Sequence, residues 1–245
     1  MQVEVVDRIA GAQSAQGVAV VIDVFRAFSV AAYAFSRGAA TVIPIAAVDD
    51  ARELKRQHPE WLLIGERHAR PLPGFDCGNS PTELEKLDVS GRTIIHTTHS
   101  GTQGLANALQ ADEVLTGALV NAAAIVRYLQ AQRPPKVTLV RMGHEARENC
   151  EEDDLCAELL RSRLLGEPMP VAGLRQRLRT AASARKFFDP ACDWAPERDF
   201  DLCTRVDEFD FVLQLDRTAS PPRLRRIDVP KSDVSGNDFS GIDTP

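Results

Sequence analysis

The chain has 245 residues, 44% of them hydrophobic and 26% charged, with a formal charge of −6 and an isoelectric point near 5.4. Such a composition supports a sizeable core, and the acidic balance argues against general nucleic-acid binding, which needs a basic face to displace phosphate counterions. No run approaches the ~18 apolar residues of a membrane span, and MQVEVVDRI lacks the basic-then-apolar order of a signal peptide, so a cytoplasmic protein with no membrane attachment is expected.

Along the chain, short apolar runs of β-rich composition lie at 17–24, 40–45, 61–65, 92–98, 113–118 and 136–143. Helical patterns separate them: AFSVAAYAFSRG, DDARELKRQH, GTQGLANALQ, NAAAIVRYLQAQ and EEDDLCAELLRSRLLG. Strand and helix alternate, which predicts an α/β fold: a three-layer α/β/α arrangement with a mostly parallel sheet. The stretch GERHARPLPGFDCGNSP at 65–81 has neither period, yet its prolines, Phe75 and Cys77 are unlike a disordered linker. It reads as an ordered functional loop.

Beyond about 170 the pattern changes. GLRQRLRTAASARKFF is a basic helix candidate, a solvated face or an anion-binding one, and FDFVLQLD with RLRRID forms a hairpin expected at a sheet edge. The resulting division is one domain over 1–229, with a core at 17–166 and an appended C-terminal helix and hairpin element at 167–229. A polar tail occupies 230–245.

In open α/β sheets ligands lie beyond the carboxyl ends of the strands. There the sequence places Asp23 and Arg26, then Glu66 and Arg67, then Thr97, Thr98, His99, Ser100, Gly101 and Thr102, then Asn121, and last the acidic run 151–154. Each also has a structural reading. Asp23, Ser100, Thr102 and Asn121 are helix-capping types, and carboxylates at 151–154 suit a first helical turn. The turn THSGT can present backbone N–H groups to an anion, but no nucleotide-binding glycine fingerprint occurs. His96 alternates with apolar residues and reads as packed. Five scattered cysteines without C-x-x-C spacing read as reduced thiols; a nucleophilic Cys77 paired with His68 or His99 lacks a surrounding motif.

Five stretches in order, VVIDVFRAFS, IGERHARPLPGFDCGNSP, TIIHTTHSGT, EVLTGALVNAAA and the Glu152, Asp153, Cys156, Ala157 arrangement, resemble the 2-phosphosulfolactate phosphatase (ComB) family over about 17–165. The resemblance implies a magnesium-dependent phosphatase that converts 2-phospho-3-sulfolactate to 3-sulfolactate and phosphate, a step toward coenzyme M. Phosphoryl transfer needs positioning and charge neutralisation. The implied site therefore has Mg²⁺ on Asp23, Glu66 and Asp153, with Glu152 as a substitute, because magnesium prefers carboxylate and water oxygens, and the sequence leaves Asp23 open as ligand, base or nucleophile. Arg26 and Arg67 would hold the anionic groups of a small phosphorylated substrate, and Asn79, Ser80, Thr98, Ser100, Gly101, Thr102 and Asn121 would complete its binding site.

Two positions leave the family pattern: Phe28 stands where a threonine is usual, and Ser100 where an asparagine is usual. If both side chains face the ligand, another phosphorylated hydroxy acid becomes the preferred substrate. A non-catalytic anion-binding protein on the same fold is a further reading, opposed by the retained acids. The sequence leaves homo-oligomerisation open.

Overall fold

The computed structural model describes residues 1–167 and 169–231; most of the polar tail read at 230–245 lies outside the described residues. The chain opens with β1 (Gln2–Asp7) and α1 (Arg8–Ser14), both ahead of the first expected strand. There follow β2 (Val18–Ile22), α2 (Ala27–Ser36), β3 (Thr41–Pro44), α3 (Val48–Gln57) and β4 (Leu62–Arg67). The loop after β4 holds the two-residue β5 (Arg70–Pro71) and α4 (Pro81–Leu84). Next come β6 (Thr93–Thr97), α5 (Gly101–Asn107), β7 (Glu113–Gly117), α6 (Ala122–Gln132), β8 (Lys136–Arg141) and α7 (Glu151–Leu165). The C-terminal part contributes α8 (Leu174–Arg179), a 3₁₀ turn at Ala182–Phe187, α9 (Glu197–Cys203), β9 (Phe211–Asp216) and β10 (Arg223–Asp228).

All six expected strands are present within a ten-stranded sheet ordered β1-β8-β2-β7-β9-β10-β3-β6-β4-β5. Two parallel groups, β1-β8-β2-β7 and β3-β6-β4, are joined through the antiparallel β9-β10 hairpin. The hairpin is therefore internal and not at an edge. It meets β7 at Leu115↔Gln214 and β3 at Leu224↔Val42. Its alternating apolar residues explain the position, since Val212 lies in the core on one face while Leu213 and Leu224 lie in the core on the other.

The same period-two logic organises β2. Ala19 and Val21 face one apolar cluster, shared with α2 and α5, and Val18, Val20 and Ile22 face the other, shared with α6, α7 and α8. Both faces of the strand are buried, as a parallel sheet between helical layers requires. Helix α2 is apolar nearly all round, and every residue from Ala27 to Phe35 is buried, which places it inside the covering layer. At the far end of the sheet α3 supplies the second layer, with Ala51 packed on Leu63 and Ile95.

The loop after β4 is fixed by its own hydrogen bonds. Asp76 Oδ2 accepts the Leu63 N–H at 2.7 Å, Asp76 N–H donates to the Leu63 carbonyl at 2.8 Å, and Gly65 N–H donates to the Cys77 carbonyl at 3.3 Å. Gly65 itself has φ +144°, and a Cβ there would lie 1.9 Å from the Thr97 carbonyl oxygen of the paired strand β6. No L side chain fits that combination. Gly65→Ala is expected to destabilise the protein by about 3 kcal/mol or more in urea unfolding, because strain and the clash add. A loss below about 1 kcal/mol would mean that the two strands separate easily at this point.

Candidate active site

One cavity, with about 500 Å³ of empty volume partly open to solvent, lies at the carboxyl ends of β2, β4, β6 and β8. It draws Asp23, Arg26, Glu66, Asn79, Ser100, Glu152 and Asp153 together from both parallel halves of the sheet. Seven sequence-predicted residues thus share one wall set, although they are spread over 130 positions of chain.

Each acid is held by the backbone around it. Asp23 Oδ1 accepts the Ala27 N–H at 3.1 Å at the start of α2, so its capping role and its place in the cavity coexist. Its Oδ2 borders Gly101, where a Cβ would come within 2.9 Å of it. Glu66 accepts the His99 N–H on Oε1 at 2.7 Å and the Ala69 N–H on Oε2 at 2.6 Å. Asp153, in the first turn of α7, accepts the Val24 N–H at 2.8 Å and the Gly143 N–H at 2.9 Å, which ties the loops after β2 and β8. Glu152 Oε2 accepts the Ser183 hydroxyl. All four acids are buried.

Burial pushes the Asp23 carboxyl up to about 7, aided by the charges of Glu66 and Glu152 and opposed by the Ala27 N–H and the Lys186 ammonium. Burial likewise raises Asp153 well above the usual carboxylate range, with Asp23 and Glu152 adding to it. Asp23 and Asp153 therefore keep their protons to higher pH than free carboxyl groups do. Among the described residues no three of these carboxylates converge within 4.8 Å. That spacing suits a cation that would take only one or two of these carboxylates as ligands, as magnesium commonly does.

Positive charge comes from two sources. Arg26 is buried and lines the cavity, where its Nη1 donates to Asp199 Oδ2 at 2.6 Å and its Nη2 to the Ala69 carbonyl at 3.2 Å. Lys186 comes from the basic stretch read as a helix face; the 3₁₀ turn there sends it to the cavity instead. Burial and the nearby Arg26 lower its pKa, and Glu152 and Asp23 counteract them.

The remaining candidates stand behind the wall. Arg67 donates to the carbonyls of Glu66 at 2.6 Å and Ala46 at 2.7 Å and to Thr97 Oγ1 at 2.8 Å, so its guanidinium braces the β4 and β6 ends outside the cavity lining. Ser80 Oγ donates to Asp199 Oδ1 at 2.8 Å and caps α4 by accepting the Glu83 N–H. Thr98 and Thr102 bond reciprocally, each backbone N–H donating to the other's hydroxyl. The turn thus spends the His99 N–H on Glu66 and the Thr98 and Thr102 N–H groups on each other's hydroxyls. Asn121 accepts the Ala118 N–H at 3.3 Å and reaches the Phe211 carbonyl at 3.5 Å, under the C-terminal hairpin and outside the cavity lining. Phe28 is 2% exposed within the core, its ring end behind Gly101, so it shapes the turn and does not face a ligand; Ser100 does line the cavity, with its Oγ accepting the Ala146 N–H at 2.9 Å.

The cysteines supply no nucleophile of the expected kind. Burial raises the Cys77 thiol to about 12, which keeps it protonated at neutral pH, and Cys77 lies outside the cavity lining. His96 is buried as expected, and its Nε2 lies 3.0 Å from Asn79 Oδ1. Burial, assisted by the Arg67 charge, pulls the imidazole down to about 4. The neutral ring therefore donates to Asn79 and fixes that amide at the cavity.

Because the unfolded chain protonates His96 near 6.5 and the native chain only near 4, the native state binds fewer protons between these values. Its contribution is complete above pH 6.5 and is lost as pH falls through 4. Urea unfolding at pH 7 and pH 4.5 is expected to show this loss, up to roughly 3 kcal/mol, and His96→Gln to remove most of it. An equal acid loss in both proteins would assign it to other groups.

Among the described residues no helix is long and apolar enough to cross a membrane. Residues 4–218 match the family model described as 2-phosphosulpholactate phosphatase. The chain is 34% identical over 209 residues to a probable 2-phosphosulfolactate phosphatase of Thermotoga petrophila, covering 80% of this chain and 88% of that one. It is 39% identical over 156 residues to the protein of the same description from Symbiobacterium thermophilum, covering 63% and 66% of the two chains. A Bacillus subtilis relative, also a probable 2-phosphosulfolactate phosphatase, is 27% identical over 209 residues, covering 85% and 91%. The match runs from β1 to the end of β9 and so includes every element that builds the cavity: the chain belongs to the 2-phosphosulpholactate phosphatase family and is a phosphatase, a phosphoric monoester hydrolase.

Proposed function

We propose that the protein hydrolyses 2-phospho-3-sulfolactate to 3-sulfolactate and phosphate with the help of Mg²⁺, as a step toward coenzyme M. The observation that carries this reading is the convergence of four buried carboxylates with Arg26 and Lys186 on one cavity at the strand ends. Carboxyl oxygens fit a hard divalent cation, and one or two of Asp23, Glu66, Glu152 and Asp153 would hold it. When bound, such a cation supplies charge neutralisation at the phosphoryl oxygens.

The chain's own groups do the rest. Lys186 offers a compact ammonium to the phosphate or to the substrate's acid groups, in a partly dry cavity where its charge is weakly screened. Arg26 is pinned by Asp199 and the Ala69 carbonyl, so its remaining donors are aimed without loss of side-chain freedom on binding. The Asn79 amide nitrogen and the Ser100 hydroxyl are neutral donors whose acceptor oxygens are already engaged by His96 and by the Ala146 N–H. Asp23 Oδ1 is occupied by Ala27, which leaves Oδ2 to orient a water or a cation.

The specificity argument built on Phe28 loses its footing, because that ring is in the core. Ser100 alone remains a ligand-facing departure from the family pattern, so the sulfonated substrate is the preferred reading. The test measures phosphate released from 2-phosphosulfolactate and from 2-phospholactate, each with Mg²⁺ and with chelator. Cation-dependent release that favours the sulfonated compound is expected. Release unaffected by chelation would overturn the cation assignment, and preference for 2-phospholactate would overturn the substrate.

A further inference from the structure

We propose that His68, His99 and Glu145 form a second cation site at the mouth of the cavity, selective for a borderline-soft divalent ion of the zinc and cobalt class. Each of the three can place one ligand atom within 4.8 Å of the other two, and among the described residues no other group of three does so. Tetrahedral ligands on bonds of about 2.1 Å stand roughly 3.4 Å apart, so side-chain adjustments of about 1 Å complete the set. His68 is exposed and free to make them.

The residues come from three separate segments: His68 follows β4, His99 lies in the turn between β6 and α5, and Glu145 in the loop between β8 and α7. They stand at a junction. His99 and Glu145 line the cavity described above, whereas His68 and Glu145 line a neighbouring one of about 1010 Å³ whose wall includes Cys150, Lys186 and Trp194. The imidazoles meet edge to face with centroids 4.9 Å apart.

Without an ion, His68 Nδ1 lies 2.6 Å from Glu145 Oε1, which by itself is an ordinary surface pair. It does not account for His99, whose Nδ1 is buried with no hydrogen-bond partner. Buried polar atoms are rarely left so, and an ion bound through His99 Nδ1 would relieve the deficit. Ligand chemistry separates this site from the inner one. Two imidazoles and one carboxylate suit zinc or cobalt, while the carboxyl oxygens of Asp23, Glu66, Glu152 and Asp153 suit magnesium. A bound ion would tie the three loops together where the two cavities share their walls.

The experiment titrates Co²⁺ alone onto the full chain already saturated with Mg²⁺, reading visible absorption, bound metal by equilibrium dialysis, and Tm. The expected result is one equivalent of Co²⁺ retained in excess Mg²⁺, absorption bands of a low-coordinate site with nitrogen ligands, and a higher Tm. His68→Gln and Glu145→Gln should each weaken binding by about tenfold or more. His68→Gln should melt like the natural protein when Co²⁺ is absent, since its side chain is exposed. Complete displacement of Co²⁺ by Mg²⁺, or unchanged Co²⁺ affinity in both variants, would overturn the proposal.

Discussion

Asp23→Asn is expected to lower phosphate release by about a thousandfold while making the cation-free protein more stable at neutral pH. The two effects have one origin. Asp23 is buried among Glu66, Glu152 and Asp153, and its carboxyl is pushed from 3.8 up to about 7. Between those values the native state holds a proton that the unfolded chain has lost, so this group's stabilising contribution is complete below pH 3.8 and is gone once pH has risen through 7.

At pH 8 the native protein must therefore keep a buried, poorly compensated charge. Asparagine removes the charge and can still accept the Ala27 N–H with its side-chain oxygen, which preserves the start of α2. A gain of roughly 2 kcal/mol, or a Tm rise of about 5 °C, is expected without added cation. Added Mg²⁺ should stabilise the natural protein by mass action and the variant much less. The activity loss follows because catalysis of phosphoryl transfer rests on placing and neutralising charge, and Asp23 is the acid at the head of β2. A variant that retained a tenth of the natural activity, or that melted lower than the natural protein without cation at pH 8, would remove Asp23 from the acid cluster's centre.

Asp199→Ala carries the largest expected loss of stability. Asp199 is fully buried and accepts from Arg26 Nη1 at 2.6 Å, Ser80 Oγ at 2.8 Å and the Thr82 N–H at 3.0 Å. It thereby joins α9, the loop before α4 and the start of α2. Alanine would leave the buried Arg26 guanidinium without its counter-charge and two further donors without an acceptor. Breaking a buried pair from one side costs about 3–5 kcal/mol, which for a chain of this length corresponds to a Tm fall of about 10 °C or more.

The double variant Arg26→Met with Asp199→Leu separates stability from function. It removes both charges together, so most of the stability should return, while phosphate release should stay low because Arg26 is absent from the cavity. Thermal unfolding and phosphate release on the same three proteins decide the matter. A loss below about 1 kcal/mol in Asp199→Ala would show that water reaches Arg26 and that the pair is not the clamp described.

The strands and most helices were legible in the sequence because their signals are local. Val18 to Ile22 is apolar at every position, as a strand buried on both faces must be, and the carboxylates at 151–154 sit in the first turn of α7 where the helix dipole favours them. The strand-end rule then pointed to Asp23, Glu66 and Asp153, since residues after parallel strands share one edge. β1 was missed because VEVVD alternates with charge, as befits an edge strand, whose side chains are half-exposed.

The alternation of strand and helix and the set of acids at the strand ends are written in local pattern, since both depend on neighbours a few positions away. Packing between distant segments puts β9 and β10 in the middle of the sheet, brings Lys186 to the cavity and Asp199 behind Arg26 from a stretch 160 or more residues beyond Asp23, and leaves Arg67 and Asn121 outside the cavity lining. A charged side chain carries no local mark of its destination. Arg67 is spent on the Glu66 and Ala46 carbonyls and Thr97, whereas Arg26 is held at the cavity by the buried Asp199 and the Ala69 carbonyl, and both outcomes are fixed by contacts between distant segments.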